Sequence, residues 1–352
     1  MSKRMIYCCD GTWEKATNDT NVFKIYQALA QSAAQATYYD DGVGADGNAI
    51  EMIIGGALGT GLWAKVKQGY KTIALNYQPG DQLFLLGFSR GAYTARSLAG
   101  MIAICGLPAQ NVTAANIDDL TNTAFSAYRE QDNRQSLLDS LASYALFDAK
   151  LTMVGVWDTV GSLGIPALFG GVDPAFYGFL DTNLHPDVKN AYHAVAVDEK
   201  RREFPATLWT GPFQADQTVE QVYFSGVHGD VGGGEPAQAG VLLPSDVPLS
   251  WLISKAAALG ADFSASALAA YPSPIDPSYA TAPLHESWSL LWGIPKRRTI
   301  SADASIANSV NIRAQGEAAY RPTNLSFVNG TLAPGYTVVT VAGLAAGAGG
   351  AG

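Results

Sequence analysis

The chain has 352 residues, 48% of them hydrophobic and 15% charged, with a formal net charge of −9 and a pI near 4.9. That length and apolar content suffice for one large α/β domain or two smaller ones. The acidic balance excludes a binder of nucleic-acid backbones, which would repel it, and disfavours purely electrostatic attachment to anionic membranes.

The N-terminal run Met5-Ile6-Tyr7-Cys8-Cys9 predicts a strand, which would send the adjacent cysteines to opposite faces. Cys8, Cys9 and Cys105 lack any Cys-x-x-Cys or Cys/His spacing that would suggest zinc, and no cofactor is expected. The cysteine usage fits synthesis in the reducing cytoplasm. No signal peptide or membrane-spanning stretch is read, so any export would take a route that accepts a folded protein.

Asn18-Asp19-Thr20-Asn21 forms a helix-cap cluster ahead of a helical spacing over residues 22–29. A second strand is expected at 37–40, a glycine-rich stretch at 42–61, and a helix at 63–77. The apolar run 82–86 reads as a buried strand and residues 92–102 as a helix. Residues 109–148 are helical in pattern, as a cap or a flanking pair. Three strand-and-turn units follow at 151–158, 192–198 and 221–230. Continuous apolar strands separated by helices or long loops predict a mostly parallel central sheet covered on both faces. A helix is expected at 249–259. Segments 325–330 and 336–341 suggest a late β-hairpin, and the Ala/Gly tail 342–352 suggests disorder. The domain reading is a catalytic unit at 1–300, a short extension at 301–341, and the tail.

Gly87-Phe88-Ser89-Arg90-Gly91 lies between the buried strand and the helix. Strand, Gly-x-Ser-x-Gly, helix is the context of a nucleophile elbow. The glycines relieve clashes at a sharp turn, and the serine hydroxyl sits at the positive end of the helix dipole. A serine needs a base, and the base needs an acid to fix its tautomer. In open α/β sheets such groups stand at the carboxyl ends of strands, and Asp158, Asp198 and His228 all do. The favoured order is Ser89, Asp158, His228, the chain order of α/β hydrolases. Asp198 is the alternative acid, and His285 the alternative base. His185 reads as a surface turn residue and His193 as a core residue. The oxyanion hole is expected from the backbone N–H of Arg90 and that of Gly11 or Thr12, in an early strand-to-helix loop.

With these residues assembled, the chain resembles a known family. Asp10-Gly11-Thr12-Trp13, Pro79-Gly80-Asp81, the elbow through Arg96, Trp157-Asp158-Thr159-Val160-Gly161, the run from Ala194 to Arg202, and Gly226-Val227-His228-Gly229-Asp230-Val231-Gly232-Gly233-Gly234 come in the family's order. They resemble the uncharacterised α/β-hydrolase domain of type VI secretion lipase effectors of the first class, over residues 5 to 300. The resemblance implies an α/β-hydrolase fold with a helical cap or insertions. It also implies a Ser–Asp–His triad at Ser89, Asp158 and His228, and phospholipase activity. A secretion-apparatus carrier and an immunity protein are the partners it suggests. The larger effectors carry a further region for membrane association, whereas this chain has little beyond residue 300. Gly229 stands where the family often has serine.

Apolar aromatic segments suggest how a lipid would be held. Phe169, Phe176 and Phe179 follow Asp158 and are expected to line an acyl channel or form a lid. Trp288 and Trp292 precede Lys296-Arg297-Arg298, an aromatic-plus-basic pairing suited to interfacial membrane contact. The alternatives are a soluble carboxylesterase or thioesterase, or a non-catalytic interaction module with a vestigial elbow. A metal-dependent phosphohydrolase built on Asp10, Asp158, Asp230 and His228 would leave the elbow unexplained.

Overall fold

A computed structural model describes residues 2–11, 19–42, 57–160, 182–235, 241–271 and 273–344; the side chains of 57–60 and 291 are excepted. The centre is an eight-stranded sheet. Its strands are β1 (Arg4–Cys9), β2 (Gln35–Asp40), β3 (Gln82–Phe88), β4 (Lys150–Trp157), β5 (Asn190–Ala196), β6 (Thr218–Phe224), β7 (Ser305–Ala307) and β8 (Thr337–Val339). They lie in the order β8-β7-β6-β5-β4-β3-β1-β2, and every neighbouring pair is parallel.

The strand sequences explain this arrangement. Met5 to Cys9 in β1 and Leu83 to Phe88 in β3 are buried without interruption, as strands covered on both faces must be. Their side chains alternate between two cores. Met5, Tyr7, Cys9, Leu83 and Leu85 face one; Ile6, Cys8, Phe84, Leu86 and Phe88 face the other. Cys8 and Cys9 therefore do point to opposite faces, and all three cysteines are buried free thiols.

Helices α2 (Ala57–Asn76), α3 (Arg90–Cys105) and α4 (Ile117–Arg129) cover the first face with Val66, Tyr70, Ile73, Leu98, Ile102 and Leu120. Asp118 and Asp119 in the first turn of α4 and Arg129 in its last complement the helix dipole. The short α5 (Arg134–Ser140) packs beside α4, giving the helical pair expected in that region. Helices α1 (Asn21–Ala28) and α7 (Asp246–Ala258) cover the opposite face with Val22, Ile25, Trp251 and Leu252. Thr20 caps α1 by accepting the Phe23 N–H at 3.1 Å.

The late hairpin takes a different form from the one expected. Asn329 and Gly330, with φ of 50° and 82°, make a tight turn, so Phe327–Val328 pairs at once with Thr331–Leu332. Thr337–Val339 is left to join the main sheet as its edge strand, parallel to β7. Two strands of the central sheet thus come from beyond residue 300. The tail beyond 344 lies outside the described residues, as do Thr12, Phe169, Phe176 and Phe179.

The chain leaves β1 toward β2 on one side and enters β3 on the other side of β1. A crevice opens at the carboxyl ends of strands where the order reverses in this way. Ser89 follows β3 directly, at that point.

Candidate active site

The turn after β3 is sharp, and its backbone is strained at the serine. Ser89 sits at φ 57° and ψ −119°, a region that L-residues avoid unless the surroundings hold them there. Its N–H donates to the Trp157 carbonyl at 3.0 Å, prolonging the β3–β4 ladder by one bond. A Cβ on Gly87 would stand 2.4 Å from the Gly91 carbonyl oxygen, and one on Gly91 would stand 2.1 Å from that of Cys9. Both contacts are with backbone, so neither can move aside. The serine is thereby thrust out of the sheet at the first turn of α3.

His228 comes from the loop after β6 and opens a short helix, His228–Gly232. Its Nε2 lies 2.9 Å from Ser89 Oγ, and its Nδ1 lies 2.6 Å from Asp158 Oδ2. An ionised carboxylate only accepts, so Nδ1 carries the proton and Nε2 accepts from the serine hydroxyl. The ring lies between Phe88 and Phe204, with centroids at 4.6 and 5.2 Å. Burial in this apolar slot lowers its pKa below 6.5, against the pull of Asp158.

Asp158 directly follows β4 and is completely buried, at φ 39°. A buried carboxylate needs several donors, and this one has them. Oδ1 accepts from the Ala196 N–H at 2.9 Å and from Arg298 Nη1 at 2.6 Å, and Oδ2 accepts from Arg298 Nη2 at 2.9 Å. Burial alone would raise this carboxyl; the guanidinium of Arg298, and then His228, hold it far below the ordinary carboxylate range. Arg298 also donates to the Ala196 carbonyl at 3.0 Å and to the Phe204 carbonyl at 2.8 Å. This clamp corrects the reading of Lys296-Arg297-Arg298 as one surface cluster. Lys296 and Arg297 are exposed, but Arg298 is buried against Asp158.

Asp198 does not reach the base. Its Oδ2 accepts from the Gly226 N–H at 2.7 Å and from Tyr320 Oη at 2.8 Å, which ties together the loop after β5 and the C-terminal segment. His285 pairs instead with Asp230, Nδ1 to Oδ1 at 2.5 Å, and Asp230 also accepts the Val227 N–H at 3.0 Å. Among the described hydrogen bonds, neither Asp198 nor His285 engages Ser89 or His228.

His193 is held in the core. Its Nε2 accepts the Thr159 N–H at 3.0 Å, steadying the turn after Asp158, and burial pushes its pKa down to about 3. Glu199 was missed in the sequence, where it stood inside a charged run. It is fully buried, accepts from Arg201 and Ser287, and takes the His228 backbone N–H at 3.3 Å. It is ionised, with a pKa near 2: burial would raise it, but Arg201 overcomes that.

Ser89 and His228 line an open cleft of about 270 Å³, together with Gly11, Arg90, Arg201, Phe204 and residues of the glycine turn after α6 (His228–Gly232). Arg90 stands in the first turn of α3, at the positive end of its dipole. The Gly11 N–H donates to Asp10 Oδ1 at 2.7 Å. Asp10 also accepts from Thr20 and Tyr39, each at 2.6 Å, and burial raises it to about 6. Trp292 packs edge-on against Phe204 at 5.4 Å and so buttresses the cleft wall, while Trp288 lies under Lys200, whose ammonium is 5.7 Å from its ring. Leu290 and Ile294, on the same segment, are each 85% exposed. Among the described residues, no group of three or more His, Cys, Asp or Glu is placed to hold a metal ion, and no helix is long and apolar enough to cross a membrane.

Residues 3–255 match the family model for the type VI secretion phospholipase effector Tle1-like catalytic domain. The chain belongs to the Tle1-like phospholipase effector family. An uncharacterised protein of Saccharomyces cerevisiae, YEL023C, is 27% identical over 236 residues, which are 59% of this chain and 33% of that protein. The chain thus spans about a third of that relative's length. The crystal structure of an uncharacterized protein from Pseudomonas aeruginosa aligns with 74% of this chain and 46% of its own, at 17% identity and a TM-score of 0.44. The family places this chain among lipase-type effector domains of type VI secretion.

Proposed function

We propose that the protein is a serine hydrolase that cleaves the carboxylic esters of glycerophospholipids, with Ser89 as nucleophile, His228 as base and Asp158 as its orienting acid. The observation that carries this is the unbroken relay from Ser89 Oγ through the His228 ring to Asp158, at 2.9 and 2.6 Å, within a domain of the phospholipase effector family.

His228 Nε2 takes the serine proton as Oγ attacks the ester carbonyl. The Arg90 N–H stabilises the resulting oxyanion. The second donor is assigned to the loop after β1, to the backbone N–H of Gly11 or of Thr12; the Gly11 N–H donates to Asp10 Oδ1 at 2.7 Å. His228 then protonates the leaving alcohol, and an acyl-Ser89 ester remains. Water, deprotonated by the same nitrogen, releases the fatty acid. No cofactor is invoked. Phe169, Phe176 and Phe179 are assigned to the acyl chain. Trp288, Trp292 and the exposed Leu290 and Ile294 are assigned to the bilayer interface, where apolar side chains gain by leaving water. Export through a type VI apparatus, with a carrier and an immunity protein, belongs to the same proposal.

The test is release of fatty acid and lysolipid from phosphatidylethanolamine and phosphatidylglycerol vesicles by wild type and Ser89→Ala. The expected loss in the variant is about 10⁴-fold or more. Equal release by the two proteins would overturn the assignment. Release from dissolved short esters alone would favour the soluble-esterase alternative.

A further inference from the structure

A second cleft, of about 240 Å³, adjoins the first and shares Arg201 and Phe204 with it. Five of its lining residues are cationic: Arg201, Arg202, Lys296, Arg297 and Arg298. Among the described residues that line it, none is a carboxylate. This concentration occurs in a chain of net charge −9.

The pairing of these cations separates them into two groups. Arg298 is spent on Asp158, and Arg201 on Glu199. Among the described residues, the ion pair of Arg297 is a long contact with Asp198, at 3.6 Å. The side chains of Arg202 and Lys296 are exposed and, among the described residues, have no ion-pair partner. Three neighbouring cations with little or no compensation repel one another, and a bound anion relieves that repulsion. Guanidinium forks beside an ammonium suit the oxygens of a phosphate. In a glycerophospholipid the phosphate is joined to the scissile ester through the glycerol. A phosphate cradle must therefore adjoin the esterolytic cleft, as this one does.

We propose that Arg202, Lys296 and Arg297 form a phosphate site that takes the phosphodiester of the lipid headgroup while Ser89 takes the ester. The assignment rests on the serine-phospholipase reading above. Its chemistry is also that of free phosphate, so the test must separate the two.

Binding is measured first without turnover. Ser89→Ala protein is titrated calorimetrically with glycerophosphoglycerol and with inorganic phosphate, with and without Arg202→Gln and Lys296→Gln together. Turnover is then compared on phosphatidylglycerol and on diacylglycerol of the same acyl chains, both in neutral detergent micelles. Removing two charge-assisted contacts should weaken glycerophosphoglycerol binding about tenfold or more, and should lower the ratio of phosphatidylglycerol to diacylglycerol turnover by a similar factor. Unchanged binding and an unchanged ratio would overturn the site. Weakened binding of inorganic phosphate with an unchanged ratio would overturn the headgroup assignment and leave a free-anion site. If wild type cleaves no ester but the two substitutions still weaken glycerophosphoglycerol binding, the phosphate site stands and the serine-hydrolase reading falls.

Discussion

Replacing Arg298 with methionine tests how the acid of the relay is kept ionised inside the protein. Met is apolar and matches the aliphatic stem of Arg, but the guanidinium and its bonds to Asp158, Ala196 and Phe204 are lost. Asp158 is wholly buried and would keep only the Ala196 N–H and His228. Removing one partner of a buried ion pair leaves the other charge uncompensated, which costs about 3–5 kcal/mol. The same change alters the base. Asp158, no longer neutralised, favours the protonated His228 more strongly, so the pKa of the imidazole rises. Only the neutral ring can take the serine proton. Activity at pH 6 should therefore fall more than activity at pH 8. Arg298→Lys keeps the charge but loses the fork and should fall between the two proteins. Urea unfolding with a pH profile of kcat/KM on a soluble ester reads both effects. A loss below about 1 kcal/mol together with an unmoved acid limb would show that Arg298 is a bystander.

Four further outcomes follow from the geometry. His228→Ala should lower ester turnover by about 10⁴-fold, whereas His285→Ala, whose ring pairs with Asp230, should stay within a few-fold; comparable losses would mean the base is misassigned. Gly91→Ala places a Cβ 2.1 Å from the Cys9 carbonyl oxygen, so its unfolding free energy should drop by at least about 1–3 kcal/mol; a neutral result in thermal unfolding would show that the elbow is looser than described. In wild type the acid limb of kcat/KM should lie below pH 6.5, because burial between Phe88 and Phe204 depresses His228 and keeps it neutral to lower pH; a limb at or above 6.5 would contradict a dry slot. Leu290 and Ile294 replaced together by Ser should weaken sedimentation with phosphatidylglycerol vesicles while melting temperature is kept, since both side chains lie in solvent; unchanged sedimentation would remove this segment from the interface.

The single sequence carried the architecture a long way. Strands β1 and β3 were legible because they are apolar throughout, which only a doubly covered sheet tolerates. The elbow was legible because a strained turn between strand and helix demands glycine on both sides of the serine, and that demand is local. Ser89, Asp158 and His228 could be nominated because each ends or follows a strand, and parallel strands send such ends to one edge of the sheet. What the tertiary structure decided is which charged neighbours matter. Asp198 and Asp158 look alike along the chain, yet only Asp158 meets His228, because the loop after β5 turns Asp198 toward Gly226 and Tyr320. Arg297 and Arg298 are adjacent and chemically identical. One lies in solvent and the other clamps a buried carboxylate 140 residues away in the chain. Glu199 sits within the charged run Asp198-Glu199-Lys200-Arg201-Arg202 yet is fully buried and accepts the His228 backbone N–H. The strand at Thr337–Val339 falls within the segment expected from sequence, but its partner was hidden: it joins β7 in the central sheet, since an edge strand of three residues is defined by the partner it finds. Hydrophobic period and turn chemistry act between near neighbours and can be read in order. Ion pairing and edge pairing act between residues far apart in the chain, and only folding brings those together.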